Sequence, residues 1–183
     1  MRLSSVINTT ARACLGLGLA LAIFTTTHAE AEISREARIQ AALILRMIKF
    51  VEWPAEVMLR SNFLQICTWG DSQTEQALQN LQGQKVRERD IKVRKLSVPL
   101  NTRGCHVLYV SDHNSDVTFS ALYDSGSQHL LTISGMPDFK KHGGMVTLIK
   151  QGNRIAFEIQ LRHAREHGLQ IGAPLLELAR VVE

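Results

Sequence analysis

The sequence predicts a single α/β domain, with a mixed β-sheet flanked by α-helices and a C-terminal β-hairpin and helix. Its 183 residues give room for one domain and not comfortably for two. Hydrophobic residues make up 45% and charged residues 21%, which is typical of a globular chain with a packed core. Predicted helices and strands alternate through most of the chain, and this order is typical of a parallel or mixed sheet with helices on its faces.

Residues 1–31 are predicted to be a signal peptide, and residues 32–183 to be the mature domain. Basic residues precede an apolar run from Ala13 to Phe24, and a short stretch of small and polar residues follows. The small-x-small cleavage rule is met after Ala29 and after Ala31, so both positions stay open. The apolar run is shorter than the roughly 20 residues that a membrane-spanning helix needs. We therefore expect an exported, periplasmic protein.

The charge balance argues against a nucleic-acid partner. The formal net charge is +4, and Arg2 and Arg12 of the predicted leader supply half of it. A nucleic-acid-binding domain needs a clustered basic excess, which this nearly balanced chain lacks. A short basic region remains on a predicted strand. It contains Arg87, Arg89, Lys92, Arg94 and Lys95. These side chains fit an acidic partner surface or anionic lipid, and equally the solvated faces of strands.

Apolar spacing predicts the first elements of the mature chain. Residues Ile33–Val51 contain no Gly or Pro and place apolar residues three or four apart, which predicts a helix that ends before the next proline. The apolar, β-branched run Phe63–Trp69 predicts a strand. Ser72, with Glu75 three residues later, matches a capping box, so we expect a helix from Gln73 to Leu81.

The remaining elements are predicted mainly as strands. Basic and apolar residues alternate after the second helix, as in strands with one solvated face, and Gln151-Gly152-Asn153 is typical of a hairpin turn. Pro174 stands at a favourable first position for a last helix. The predicted strands are Val86, Ile91–Val98, Cys105–Val110, Leu130–Ser134, Met145–Ile149 and Arg154–Leu161, and the predicted helices are Val117–Tyr123 and Pro174–Val182.

Cys67 and Cys105 are the two cysteines that follow the leader, and a disulfide between them is the favoured interpretation. An even pair of cysteines in an exported domain is typical of a bridge. Two buried free thiols are one alternative, and a metal site is another. The metal site is disfavoured because neither cysteine has a second Cys or a His two to four residues away.

Seven ordered segments resemble the YfiR family of periplasmic proteins, and together they cover essentially the whole mature chain. The segments are Lys49–Pro54, Cys67 with Gly70-Asp71, Arg103–Ser111, Leu131–Ser134, Phe139 with Gly143–Met145, Arg154–Ile159, and Gly168–Ile171 with Leu175–Ala179. Their order along the chain is the order found in the family. Agreement of this extent identifies the family more strongly than it identifies a partner.

The resemblance implies a mixed, mostly six-stranded sheet flanked by helices, a homodimer, and a regulatory role without a cofactor. The best-known member of the family inhibits an inner-membrane diguanylate cyclase by binding the periplasmic sensor domain of that enzyme. An outer-membrane lipoprotein can sequester this repressor. Cys67 and Cys105 match one disulfide-forming pair of the family. The second pair of that member has no counterpart, because no further cysteine follows the leader.

One motif is of catalytic type. The sequence His163-Ala164-Arg165-Glu166-His167 matches the H-x-x-E-H pattern of a class of zinc hydrolases. On a helix, His163 and His167 would face the same side and share a metal ion. A third ligand and the rest of such an enzyme are missing from the 16 residues that follow. We therefore predict no catalytic residue, no metal site and no cofactor, and a short polar helix that faces solvent.

Two functions from different classes remain. The first is a repressor that binds the periplasmic domain of a membrane diguanylate cyclase and lowers cyclic di-GMP signalling. Its predicted contact residues are Arg162, His163, Arg165, His167, Leu169 and Ile171. The second is a small-ligand sensor whose pocket is lined by Phe50, Trp53 and Phe63. Aromatic residues at a helix end more often close a core, and this is the favoured interpretation of these three residues.

Overall fold

The computed structural model of the protein describes residues 32–111 and 128–182. The predicted signal peptide and the predicted helix Val117–Tyr123 lie outside the described residues. The helices described are α1 (Arg35–Ile48), α2 (Ala55–Met58), α3 (Gln73–Gln79), α4 (Leu161–Glu166) and α5 (Ala173–Leu176), with a 3₁₀ turn at Phe139–His142. The strands described are β1 (Val51–Glu52), β2 (Phe63–Trp69), β3 (Lys85–Val86), β4 (Arg89–Lys95), β5 (Val107–Val110), β6 (Leu131–Ser134), β7 (Val146–Gln151), β8 (Arg154–Gln160), β9 (Gln170–Ile171) and β10 (Arg180–Val182).

An eight-stranded sheet forms the centre of the domain, in the order β10-β8-β7-β6-β5-β2-β4-β3. Strands β4, β2, β5, β6 and β7 run parallel to one another. Strand β3 pairs antiparallel with β4, and β7 and β8 form the predicted antiparallel hairpin. The prediction of a mixed sheet with flanking helices is confirmed. The expected count of six strands is too low, because β3 and β10 add short edges of two and three residues.

Helix α1 is built as the apolar spacing predicts, but it is shorter. The Ser34 side chain caps it by accepting a hydrogen bond from the backbone N–H of Ala37 at 3.2 Å. Its buried side chains recur three or four residues apart and pack toward α3. The predicted helix continues to Val51, whereas the observed one ends at Ile48. The reason is that Val51 and Glu52 form β1 and pair with β9.

The capping box at the start of α3 is formed by only one of its two side chains. The Ser72 hydroxyl accepts a hydrogen bond from the backbone N–H of Glu75 at 3.1 Å, as predicted. The Glu75 carboxylate is buried, accepts a hydrogen bond from the Thr68 hydroxyl at 3.1 Å, and lies 3.3 Å from the Lys95 ammonium. Glu75 therefore ties α3 to β2 and β4.

The prediction of a C-terminal helix from Pro174 to Val182 is wrong in its second half. Helix α5 ends at Leu176, and the chain then forms β10, which pairs in parallel with the end of β8. The Arg180 guanidinium lies 3.3 Å from the Glu158 carboxylate on that strand. The edge of β8 offers backbone hydrogen-bond partners to residues 180–182, so pairing with the sheet overrides the local helical preference.

Both faces of the central strands are buried. On β5, Val107 and Tyr109 join the core between the sheet and α1, whereas Leu108 and Val110 join a second core that contains Cys67. Burial on two faces explains why this strand reads as a continuous apolar run rather than an alternating one. In the described part of the chain, no helix combines the length and the apolar character that crossing a membrane requires.

Candidate functional site

Strands β1 and β9 bring together two segments that are far apart in the sequence. Val51 pairs with Ile171 and Glu52 pairs with Gln170, in antiparallel register. Beyond this ladder, the backbone N–H of Gly172 donates a hydrogen bond to the Phe50 carbonyl at 2.8 Å. We call residues 49–54 with residues 168–172 the junction. It joins the end of α1 to the chain that follows α4.

Trp53 anchors the junction to the rest of the domain. The side chain is 9% exposed, and its indole N–H donates a hydrogen bond to the His129 carbonyl at 2.9 Å. The indole also stands edge-on to the His106 ring, with 6.2 Å between ring centroids. The backbone N–H of His129 in turn donates to the His167 carbonyl at 3.1 Å. Three backbone carbonyls and two backbone N–H groups at or beside the junction thus have hydrogen-bond partners within the protein.

Glycine is required at position 168 by conformation and by space. Gly168 has a φ of +74°, in the left-handed region that other residues adopt only with strain. A Cβ atom at this position would lie 2.6 Å from Nδ1 of His129. The His129 ring cannot move away freely, because its Nδ1 lies 3.0 Å from the His167 carbonyl. Gly168 is one of the residues that carry the resemblance to the family, and its contact with His129 explains why a glycine is needed there.

His163 and His167 lie together on α4 and at its end, as the helical spacing predicts. Their rings stack with 4.6 Å between centroids, and Nδ1 of His167 lies 2.9 Å from the His163 carbonyl. Burial, and then the nearby His167, lower the pKa of His163. Among the residues that the structure describes, no group of three His, Cys, Asp or Glu side chains is placed to hold a metal ion.

The residues predicted to contact a partner differ in their accessibility. Arg162 and Arg165 are exposed on α4, and His163 and Ile171 are half-buried. Leu169 is completely buried in the core between the sheet and the helices. Leu169 therefore supports the surface from inside and does not form part of it. The surface that stays accessible is that of α4 and the adjacent junction.

The three aromatic residues of the predicted pocket do not share one cavity. Trp53 lines a cleft of about 640 Å³ together with Glu52, Arg87 and Glu88. Phe63 lines a different cleft of about 400 Å³. Phe50 lines neither of these two clefts, and it is one of the large apolar side chains exposed to solvent, at 37%. The structure thus separates the predicted pocket residues and places Phe50 on the junction surface.

The structure contains the disulfide between Cys67 and Cys105. Cys67 is fully buried in β2, and Cys105 is half-buried in the segment that leads into β5. One nitrogen of the Arg94 guanidinium lies 3.2 Å from the sulfur of Cys105 and donates a hydrogen bond to the Arg103 carbonyl at 2.9 Å. Arg94 and Cys67 are register partners on β4 and β2. The sequence gives no sign that Arg94 lies beside Cys67, because 27 positions separate these two residues.

The cleft that contains Phe63 lies beside the disulfide, and we call it the disulfide-walled cleft. It is lined by Arg60, Phe63, Arg103, Cys105, His106 and His129 among others. His106 is 4% exposed, and its Nδ1 accepts a hydrogen bond from the backbone N–H of Gln65 at 3.0 Å. Burial, and then the positive charge of Arg89, lower the pKa of His106. No local pattern in the sequence marks Arg60 or His129, and Arg103 entered only as part of the segment Arg103–Ser111 that resembles the family.

Comparison with known proteins identifies the family. A family model described as YfiR/HmsC-like matches residues 37–180. A comparison with curated proteins found no match. The matched range includes the junction, the disulfide and every strand of the sheet apart from the last residues of β10. Membership of this family indicates a periplasmic regulator connected to a diguanylate cyclase. The chain belongs to the YfiR/HmsC-like family.

Proposed function

We propose that the protein is a periplasmic repressor that binds the periplasmic sensor domain of an inner-membrane diguanylate cyclase and keeps the enzyme inactive. The single observation that carries this proposal is the family match over residues 37–180, which spans nearly all of the described domain. Residues 1–31, proposed as a cleaved signal peptide, would deliver the protein to the compartment of that sensor domain. The repressor needs no cofactor in this mechanism.

The contact surface that we propose is the junction face, formed by Phe50, Ile171, Arg162 and Arg165. Helix α4 packs against β9, so the two arginines lie on the element beside the junction. Phe50 supplies an exposed aromatic side chain, and the two arginines are exposed on the adjacent helix. An aromatic anchor with arginine beside it is the composition that is enriched in protein interfaces. In the described part of the chain, neither arginine has an acidic partner.

Repression follows from a difference in affinity between two states of the cyclase. A repressor that binds the inactive arrangement of the sensor domains more tightly shifts the enzyme toward that arrangement. Release of the repressor then allows the cytoplasmic catalytic domains to associate. An outer-membrane lipoprotein that competes for the repressor would supply the release, and a homodimer would match the symmetry of a cyclase dimer.

Direct binding tests this proposal at the junction face. The purified periplasmic domain of the cyclase is titrated with the wild type, with Phe50→Glu, and with Arg162→Glu combined with Arg165→Glu. We expect both variants to bind at least about tenfold more weakly, because an interface anchor contributes at least about 1.4 kcal/mol. The matched control is Arg154→Glu, which changes an exposed arginine of the β7–β8 hairpin. Equal affinity in all four proteins would remove the junction face from the proposal.

The oligomeric state is a separate part of the proposal. Light scattering over micromolar concentrations should give the mass of a homodimer. A constant monomer mass would contradict the dimer and leave the binding experiment unaffected, because that experiment measures affinity and not symmetry.

A second candidate function is that of a small-ligand sensor without cyclase repression. The cleft beside Trp53 favours it, because its volume of about 640 Å³ lies within the range of pockets that hold small molecules. A saturable rise of the melting temperature with one class of metabolite, lost in a Trp53→Ala variant that still folds, would support this function. The absence of any such rise, together with measured cyclase binding, would favour the repressor.

A further inference from the structure

The disulfide-walled cleft collects positive charge that the protein does not neutralise. Arg60 and Arg103 line it and are exposed. Among the described residues, neither guanidinium is paired with a carboxylate, whereas Lys85, Lys95, Lys140, Lys141, Lys150 and Arg180 all have acidic partners. The described residues that line the cleft include no aspartate or glutamate. The cleft beside Trp53 differs, since Glu52 and Glu88 line it along with its arginines.

The wall that carries Arg60 is held in place by hydrogen bonds. The Ser61 hydroxyl donates to the Phe63 carbonyl at 2.8 Å and accepts from the Phe63 N–H at 3.1 Å. The Arg89 guanidinium also donates to the Ser61 carbonyl. The ammonium of Lys92 lies 3.9 Å from the centroid of the Phe63 ring, which adds a third cation near this wall. The turn that carries Arg60 is therefore fixed before a ligand arrives.

The wall that carries Arg103 is equally fixed. The backbone N–H of Arg103 donates to the Asn101 side-chain oxygen at 3.0 Å, and the N–H of Cys105 donates to the Thr102 carbonyl at 3.0 Å. Arg94 binds the Arg103 carbonyl, and the disulfide attaches the same turn to β2. Binding sites gain affinity when their groups are held in position in advance, because less ordering is needed on binding.

We propose that the disulfide-walled cleft is an oxyanion-binding site in which Arg60 and Arg103, which line it from two separate segments of the chain, receive a carboxylate or phosphate group. The planar guanidinium group, with its several N–H donors, matches the two oxygens of such an anion. A volume of about 400 Å³ is sufficient for a small organic acid or for an acidic side chain with its neighbours. A flat lipid surface would not enter this concave cleft. The inference does not rest on the proposed repressor function.

Two sources can supply the anion, and the experiment separates them. Citrate and inorganic phosphate represent a free small anion, and an acetylated tetraglutamate peptide represents carboxylates on a protein. Each is titrated by calorimetry into the wild type, Arg60→Gln, Arg103→Gln, the double variant, and the control Arg154→Gln, with glycerol as a neutral probe. Arg154 is an exposed arginine without an acidic partner in the described residues, and it lies outside the cleft.

We expect saturable binding of at least one anion and none of glycerol. Each glutamine substitution should weaken binding about tenfold, and Arg154→Gln should leave it unchanged. Preference for citrate or phosphate assigns a small-molecule ligand, and preference for the peptide assigns a protein carboxylate. Equal affinity of the double variant and the wild type would overturn the proposal. Failure of citrate, phosphate and the peptide alike to bind in a saturable manner would also overturn it.

Discussion

The junction and the disulfide-walled cleft are both assembled from segments far apart in the sequence, but they differ in where their polar groups find partners. In the junction, the Trp53 indole, the His129 N–H and the Gly172 N–H all bind carbonyl groups of the protein. In the cleft, Arg60 and Arg103 have no acidic partner among the described residues. The polar groups at the junction have hydrogen-bond partners inside the protein, whereas the two cleft arginines have no carboxylate partner among the described residues.

This difference separates stability from binding. Substitution inside the junction should leave a buried polar group without a partner or force atoms together, and it should therefore cost stability. Substitution of an exposed, unpaired arginine removes no internal contact, so it should change ligand affinity and leave stability unchanged. Substitutions across the domain test this contrast, from the largest expected loss of stability to the smallest.

Removal of the disulfide should have the largest effect. The chain-entropy model gives a bridge across 38 residues about 4 kcal/mol, so Cys67→Ser with Cys105→Ser should lower the free energy of unfolding by about that amount. Urea unfolding measures the change. Dithiothreitol should destabilise the wild type and have no effect on the double variant. A double variant as stable as the wild type would show that the bridge contributes nothing to the fold.

Substitution of Gly168 should come next. Gly168→Ala combines a positive φ with a Cβ atom placed 2.6 Å from the His129 ring, and we expect a loss of about 3 kcal/mol. Gly83→Ala is the matched control, because Gly83 has a φ of +79° and open space around it, so it should lose only about 1 kcal/mol. Equal losses in the two variants would mean that the His129 ring moves aside at no cost.

Trp53→Phe should have an intermediate effect. It leaves the His129 carbonyl without its indole donor and removes part of a buried ring, which should cost about 2 kcal/mol. Gly168→Ala also acts through His129, so the double variant should lose less than the sum of the two single losses. Strictly additive losses would contradict a shared role of His129 in the junction.

Acid should destabilise the protein through His106. Burial, and then Arg89, lower the pKa of this histidine in the folded state below its ordinary 6.5, so the unfolded chain binds more protons. The contribution to stability is complete above about pH 6.5 and is lost as the pH falls through the folded pKa. His106→Gln should reduce the slope of unfolding free energy against pH, and His163→Gln should reduce it further. An unchanged slope in both variants would contradict this assignment.

The cleft arginines should show the smallest effect on stability. Arg60→Gln, Arg103→Gln and their double variant should unfold within about 0.5 kcal/mol of the wild type. The same variants should lose affinity for the anion, as set out above. A stability loss greater than about 1 kcal/mol would show that the arginines hold the fold together, and the contrast with the junction would then fail.

The parts of the fold that were predictable are those with a strong local pattern. Strand Phe63–Trp69 has the predicted bounds, because an apolar, β-branched run buried on two faces needs no distant information to be recognised. The hairpin turn at Gly152 is likewise predicted by a local sequence pattern. The last strand was not predictable, since β10 exists only because the edge of β8 is there to pair with it.

The candidate site was less predictable than the fold. The sequence pointed to Trp53 and to the residues that follow α4, and the structure joins these two segments through β1 and β9. No local pattern marks His129, and the basic region that contains Arg94 gives no sign of its contact with the disulfide. Each of them contacts a residue at least 27 positions away, and only the folded structure brings the two partners together. Sequence patterns predict the helices and strands, and the way these elements pair and pack determines which side chains come into contact.

Cellular cyclic di-GMP tests the central claim most directly, that the protein represses a diguanylate cyclase through its junction face. The nucleotide is measured in a deletion strain and in strains complemented with the wild type or with Phe50→Glu, at matched protein levels. We predict that deletion raises cyclic di-GMP, that the wild type restores it, and that Phe50→Glu does not. A level that stays the same in the deletion strain and in every complemented strain would contradict the account.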